Sequence, residues 1–171
     1  MRGTHATPRT GHTRSGALTD RPLPQGLALV CRARTRLCAL PLAHVVETMR
    51  PLPVTPVSGA APFVAGLSVI RGAPVPVVDL GALLSRSEPP SPTRFATLRL
   101  EGRRVALALE AILGVRDLPG TLAPLPPLLA DASSEAVSAI GRLDAELLLV
   151  LEAARIVPDS VWAGLHVGAG P

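Results

Sequence analysis

Apolar residues recur between about residues 26 and 158 in short runs, each closed by a polar or glycine-bearing pair. Leu29–Leu40 carries an apolar segment, a polar turn at Arg34-Thr35 and a second apolar segment, and Ala96–Leu107 repeats the plan. Short apolar segments around a tight polar turn predict β-hairpins. A second repeated pair follows, Gly66–Leu80 and Ala139–Ala153, with predicted tips at Arg71-Gly72 and Asp144-Ala145. Here Val77-Val78-Asp79 aligns with Val150-Leu151-Glu152, so each copy ends in an apolar strand, an acid and a short helical stretch. Self-similarity at this spacing marks a duplicated supersecondary unit.

The folded region therefore divides into similar halves, residues 26–88 and 93–158, each with about five short strands. The predicted class is all-β: two small five-stranded β-barrels packed together with short helices, since closure of short strands removes exposed edges. A unit of about 65 residues buries too little surface to stand alone, so the halves should share a core. Ser85–Pro92, rich in proline, is the expected connector. Proline likewise predicts a loop rather than ladder strands over Leu118–Asp131. Residues 1–25, rich in Arg, Thr, Pro, His and Gly without an apolar period, read as a disordered tail, and residues 159–171 as a C-terminal tail.

Composition narrows the function. Apolar residues make up 47% and charged residues 18%, enough for a core. The net charge is +4, and every basic side chain other than histidine is arginine. Nucleic-acid binding usually sets stacking aromatics beside basic residues, but Phe63, Phe95 and Trp162 are the only aromatics, so that class is disfavoured. No apolar run reaches the length of a membrane span and no apolar segment follows the N-terminal arginines, which predicts a cytoplasmic protein not inserted in the membrane.

Candidate chemistry is sparse. His5, His12, His44 and His166 fit no metal template, and no cofactor motif or catalytic signature is present, so no enzyme is expected. With a turn at Arg34-Thr35, Cys31 and Cys38 face each other across a hairpin. A redox pair is conceivable there, but small buried hydrophobes are the preferred reading. Asp79 and Glu152, at equivalent positions, are read as caps of the helices that follow them. Arg71 sits where a tight turn would project its planar guanidinium, either as a solvated turn residue or as a fork for carboxylates or carbonyls.

The run Pro62–Leu80, with Gly66, Arg71-Gly72 and Pro76-Val77-Val78-Asp79-Leu80, resembles the signature of CheW-like domains. Cys38–Leu42 with Val45-Val46-Glu47, and Val105–Val115, resemble the flanking family segments, and the likeness covers about residues 26 to 158 in order. It implies a non-catalytic scaffold that binds the regulatory domain of a CheA-type histidine kinase and holds the cytoplasmic tip of a methyl-accepting chemoreceptor. Val45, Glu47, Gly66 and Arg71 match the positions associated with those contacts. The chain departs from the pattern at Cys31 and Cys38, where the family has aromatics, at Val69 for Asn, at Ala106 and Glu110 for Gly and Asp, and at Gly81 for the Arg after Asp-Leu. These departures point to an atypical or accessory chemosensory system. The alternative from another class is an orphan two-barrel module that binds a different protein, or an anionic polymer through its arginines.

Overall fold

A computed structural model describes residues 23–85, 91–118, 120, 122–126, 135–157, 159 and 162–163. The first stretch holds β1 (Leu27–Ala33), β2 (Arg36–Pro41), a 3-10 turn (Leu42–His44), β3 (Val45–Met49), β4 (Val64–Ile70), β5 (Ala73–Asp79) and α1 (Leu80–Leu84). The remainder holds β6 (Arg94–Leu100), β7 (Arg103–Leu109), β8 (Ala111–Asp117), β9 (Ala123–Pro124), β10 (Val137–Leu143), β11 (Glu146–Leu151) and α2 (Ala153–Ile156). Four hairpins turn at Arg34, Arg71, Glu101 and Asp144, whose φ values lie between 48° and 57°. Positive φ at the first turn residue matches the twist of the flanking strands. At the Arg71-Gly72 tip the glycine follows with φ 78°, a conformation costly to side chains.

The protein is mostly β, as the sequence predicts, with its strands in two sheets of six and five. The sheets, however, do not follow the two sequence halves. One has the order β8-β1-β2-β11-β10-β9 and the other β3-β6-β7-β5-β4. Each is assembled from the first hairpin of one half and the later strands of the other. Each sheet has one parallel join, β11 along β2 with Val150 opposite Ala39 and β5 along β7 with Val77 opposite Ala106, and one antiparallel join, β8 along β1 and β3 along β6. Each first hairpin leaves both of its outer edges unpaired, and strands of the opposite half cover them.

Burial follows from this exchange. A shared core between the sheets contains Leu29, Cys31 and Leu40 from one, Leu98, Val105 and Leu107 from the other, and Leu84 and Ile156 from the helices. Behind it, Val30, Leu37, Ala39 and Leu148 fill the inner face of the first sheet. Ile70, Val75, Val77, Phe95 and Ala106 do the same in the second. The central strands are thus buried on both faces, which is why runs such as Leu148–Leu151 are continuously apolar rather than alternating.

Smaller expectations also need correction. Ala123 and Pro124 do pair, as a short outermost strand against Ile140 and Ala139, an edge position that proline tolerates. Most of residues 1–25 and 159–171, and residues 86–90 of the connector, lie outside the described residues. At both ends, however, the packed chain reaches into the expected tails. Leu23 packs on the first sheet's inner cluster. Trp162 packs on the shared core and beneath the Arg103 guanidinium, 5.3 Å from the ring centroid. Asp79 caps α1, accepting from the Ala82 N–H at 2.9 Å. Glu152 makes no such capping bond, in keeping with the single turn that α2 contains.

Candidate partner-binding surface

β3 forms one edge of the second sheet and β4 the other, and the turn at Arg71 directly follows β4. The Arg71 guanidinium reaches the Glu47 carboxylate in a two-point pair, Nε to Oε1 at 2.8 Å and Nη2 to Oε2 at 2.5 Å. The sheet therefore curls far enough to bring its opposite edges into hydrogen-bonding range. The planar fork of arginine suits this contact, and the pair fixes the orientation of both groups. The Arg71 side chain remains 70% exposed whereas that of Glu47 is 20% exposed, so the guanidinium is presented outward on an anchored stem.

Glu47 is held in turn by its backbone. Its carbonyl accepts from the Thr97 hydroxyl at 3.3 Å across the β3–β6 pairing. The hydrogen bond from Arg71 pulls the Glu47 carboxyl below the usual carboxylate range, with Arg104 adding to the pull. Val45, on the same strand, is half-buried and packs against the shared core. Its neighbours Val46 and Thr48 face solvent.

Gly66 is placed differently. It has φ +142°, and a Cβ there would stand 2.1 Å from the Thr55 carbonyl oxygen and 2.9 Å from the Pro56 Cα. Thr55 and Leu67 exchange backbone hydrogen bonds of 2.8 and 2.9 Å. Gly66 thus lets the segment between β3 and β4 cross tightly over β4, as a strap on the edge that carries Arg71. Of the four expected site residues, Glu47 and Arg71 touch; Val45 and Gly66 support the strands that hold them.

One charged cluster was not foreseen from the sequence. Arg34, at the tip of the first hairpin, is 8% exposed in its side chain and reaches across to the second sheet. Its guanidinium lies 3.3 Å from Asp79 and 3.5 Å from Glu110, and its backbone N–H donates to Glu110. The Arg34 stem fills the space a side chain at Gly81 would need, with Cγ 2.8 Å from the position of a Cβ. A charged residue next to Thr35 reads as an ordinary exposed turn, so only the pairing of Asp79 and Glu110 across the halves could have signalled its burial. Cys31 and Cys38 are directly paired across the same hairpin, buried, and free as thiols.

Among the described residues no group of three or more His, Cys, Asp or Glu side chains is placed to hold a metal ion, and no helix is long and apolar enough to cross a membrane. A small cavity lined by Pro24, Pro41, His44, Ser138 and Glu152 lies where the two halves meet. The Ser138 hydroxyl is engaged there as a donor to the Val150 carbonyl at 3.1 Å.

A two-sheet, all-β module with strands exchanged between repeats, and a charged pair displayed at one sheet's edges, defines a class of small binding scaffold. The family model for the CheW-like domain matches residues 27–161. The chain belongs to the CheW-like domain family. Among solved structures it is similar to the scaffolding protein TtCheW from Thermoanaerobacter tengcongensis, with 18% identity, a TM-score of 0.68, and coverage of 78% of this chain and 92% of that one. A search of curated proteins finds no match.

Proposed function

We propose that this chain is a chemosensory coupling adaptor that links the cytoplasmic tip of a chemoreceptor to the regulatory domain of a CheA-type histidine kinase. It acts in the cytoplasm as a scaffold and performs no catalysis. The observation that carries this reading is the Glu47–Arg71 pair, set within a CheW-like domain at the positions the family resemblance singles out. An exposed guanidinium held at two points by an anchored carboxylate loses little freedom on binding, which favours a defined protein contact over a diffuse one. Val45 and Gly66 belong to the same surface as supports, through the shared core and the strap. Each interface of such a scaffold is modest, on the order of 800 Å² per partner, and copies in an array multiply the strength of each contact.

Titration calorimetry tests the reading. The protein and its Arg71→Ala variant are titrated with the regulatory domain of a CheA kinase and with a receptor-tip fragment from the same cell. Both partners should bind the wild type, and the substitution should weaken the receptor contact. A folded protein that binds neither refutes the coupling role.

A further inference from the structure

The strap between β3 and β4 begins Arg50-Pro51-Leu52-Pro53-Val54-Thr55-Pro56. Proline fixes φ at about −65°, and a residue before proline is pushed to extended backbone, so every position but Val54 is restricted to polyproline II or β geometry. None of residues 50–58 has a positive φ, and no helix or strand forms between Met49 and Val64. A polyproline II helix has three residues per turn, and burial along the strap keeps that period. Pro51, Val54 and Val57 are half-buried, whereas Arg50, Leu52, Pro53, Thr55 and Pro56 are exposed. Val54 packs on the inner cluster of the second sheet, and the Thr55 backbone is tied to Leu67. One ridge of a three-sided prism is therefore seated on the sheet, and two face outward.

The outward ridges carry a defined chemistry. Leu52-Pro53 and Thr55-Pro56 are two apolar-edged pairs one turn, about 9 Å, apart, and Arg50 stands one turn before Pro53. Arg50 makes no hydrogen bond or ion pair with another described residue. At the far end Gly59, with φ +76°, turns the chain, and a Cβ there would meet nothing within 4 Å. Stiffening a strap calls for prolines, but neither for an outward leucine nor for an unpaired arginine in step with them. Arg21-Pro22-Leu23-Pro24 repeats the first four residues without the display: Leu27 stands where the next proline would fall, and Leu23 packs on the first sheet's inner cluster.

We propose that Arg50–Pro56 is a docking site for a partner domain that binds polyproline II helices, through a groove lined by aromatic side chains with an acidic pocket at one end. The inference goes beyond the adaptor reading and does not rest on it. A prism lying in a groove engages two ridges and points the third away, and here the third is the ridge already buried. Aromatic walls take the Leu52-Pro53 and Thr55-Pro56 pairs. The guanidinium of Arg50 meets the acidic pocket and sets the direction in which the strap lies in the groove. The strap is ordered before it binds, so it escapes the ordering cost that a free peptide carries.

The probe is an SH3 domain of the class that binds Arg-x-x-Pro-x-x-Pro peptides, isotope-labelled and titrated with the full chain while its amide resonances are followed. The wild type should shift the resonances of the domain's aromatic groove and acidic pocket. Arg50→Glu and Pro53→Ala should each weaken binding about tenfold or more. Protection of the Thr55 and Leu67 amides from hydrogen exchange, unchanged from wild type, shows that the strap is still seated in each variant. If Pro53→Ala unseats it, Arg50→Glu decides alone, because that side chain bonds to no described residue. A wild type that leaves the groove resonances unmoved at about 1 mM overturns the proposal. Binding that both variants retain in full places the contact on another proline-bearing stretch, Arg21–Pro24 or Pro124–Pro127, and overturns it equally.

Discussion

Replacing Gly66 with alanine separates a supporting role from a contacting one. The added methyl would stand 2.1 Å from the Thr55 carbonyl oxygen and 2.7 Å from its carbon, both backbone atoms that no rotamer change can move. Ordinary carbon–oxygen contact is about 3.3 Å, so the strap must retreat by about 1 Å or more. That movement breaks the two Thr55–Leu67 hydrogen bonds of 2.8 and 2.9 Å, each worth about 1 kcal/mol net. A side chain at φ +142° adds strain of about 1–3 kcal/mol. Together the loss is about 3–5 kcal/mol, large for one methyl group on a mixed sheet edge. Denaturant unfolding of the Gly66→Ala variant measures it, and hydrogen exchange at the Thr55 and Leu67 amides shows whether the strap has lifted. A loss under about 1 kcal/mol with both amides still protected would refute the account.

One further substitution and the behaviour of two thiols follow from buried groups. Arg34→Met should cost about 3–5 kcal/mol, because it leaves Asp79 and Glu110 facing each other in a partly buried site without their cation; an unfolding midpoint equal to wild type would contradict this. Burial pushes the Cys38 thiol from 9.0 up to about 12 and raises Cys31 as well. The unfolded thiol ionises first as pH rises, so the stabilising contribution is complete below pH 9 and is lost between 9 and about 12. Neither cysteine should react with iodoacetamide in the native protein near neutral pH, as mass spectrometry would reveal; prompt labelling of either would sink the prediction.

Much of the architecture is legible in the chain. Local signals identify the hairpins: the tips at Arg34, Arg71 and Asp144 fall where polar pairs interrupt apolar runs, and the helices after Asp79 and Glu152 follow the repeat. The partner of each strand is not local. Nothing in Leu37–Leu40 says that its open side is covered by Leu148–Val150 rather than by a strand of its own half, because an apolar edge accepts any strand of suitable length. The site is legible to a similar depth. Arg71 stands out at its tip, but its bond to Glu47 depends on how sharply the second sheet curls. Gly66 matches a motif without revealing its reason, which lies with Thr55 in the strap. Arg34 is hidden for the same cause: its burial arises from an encounter with Asp79 and Glu110 that neighbouring residues do not encode.

The exchange of strands between repeats also has a consequence during synthesis. When residue 88 has emerged, β2 has its hairpin partner β1 on one side and nothing on the other, and β5 still lacks β7. The missing strand for β2 ends at Leu151, so most of the chain must be made before either sheet is complete. Neither half completes a sheet by itself, and a nascent chain carries open strand edges until its last strand arrives. The same arrangement leaves complementary edges on two chains made close together, the condition under which exchange of an identical element between copies costs least.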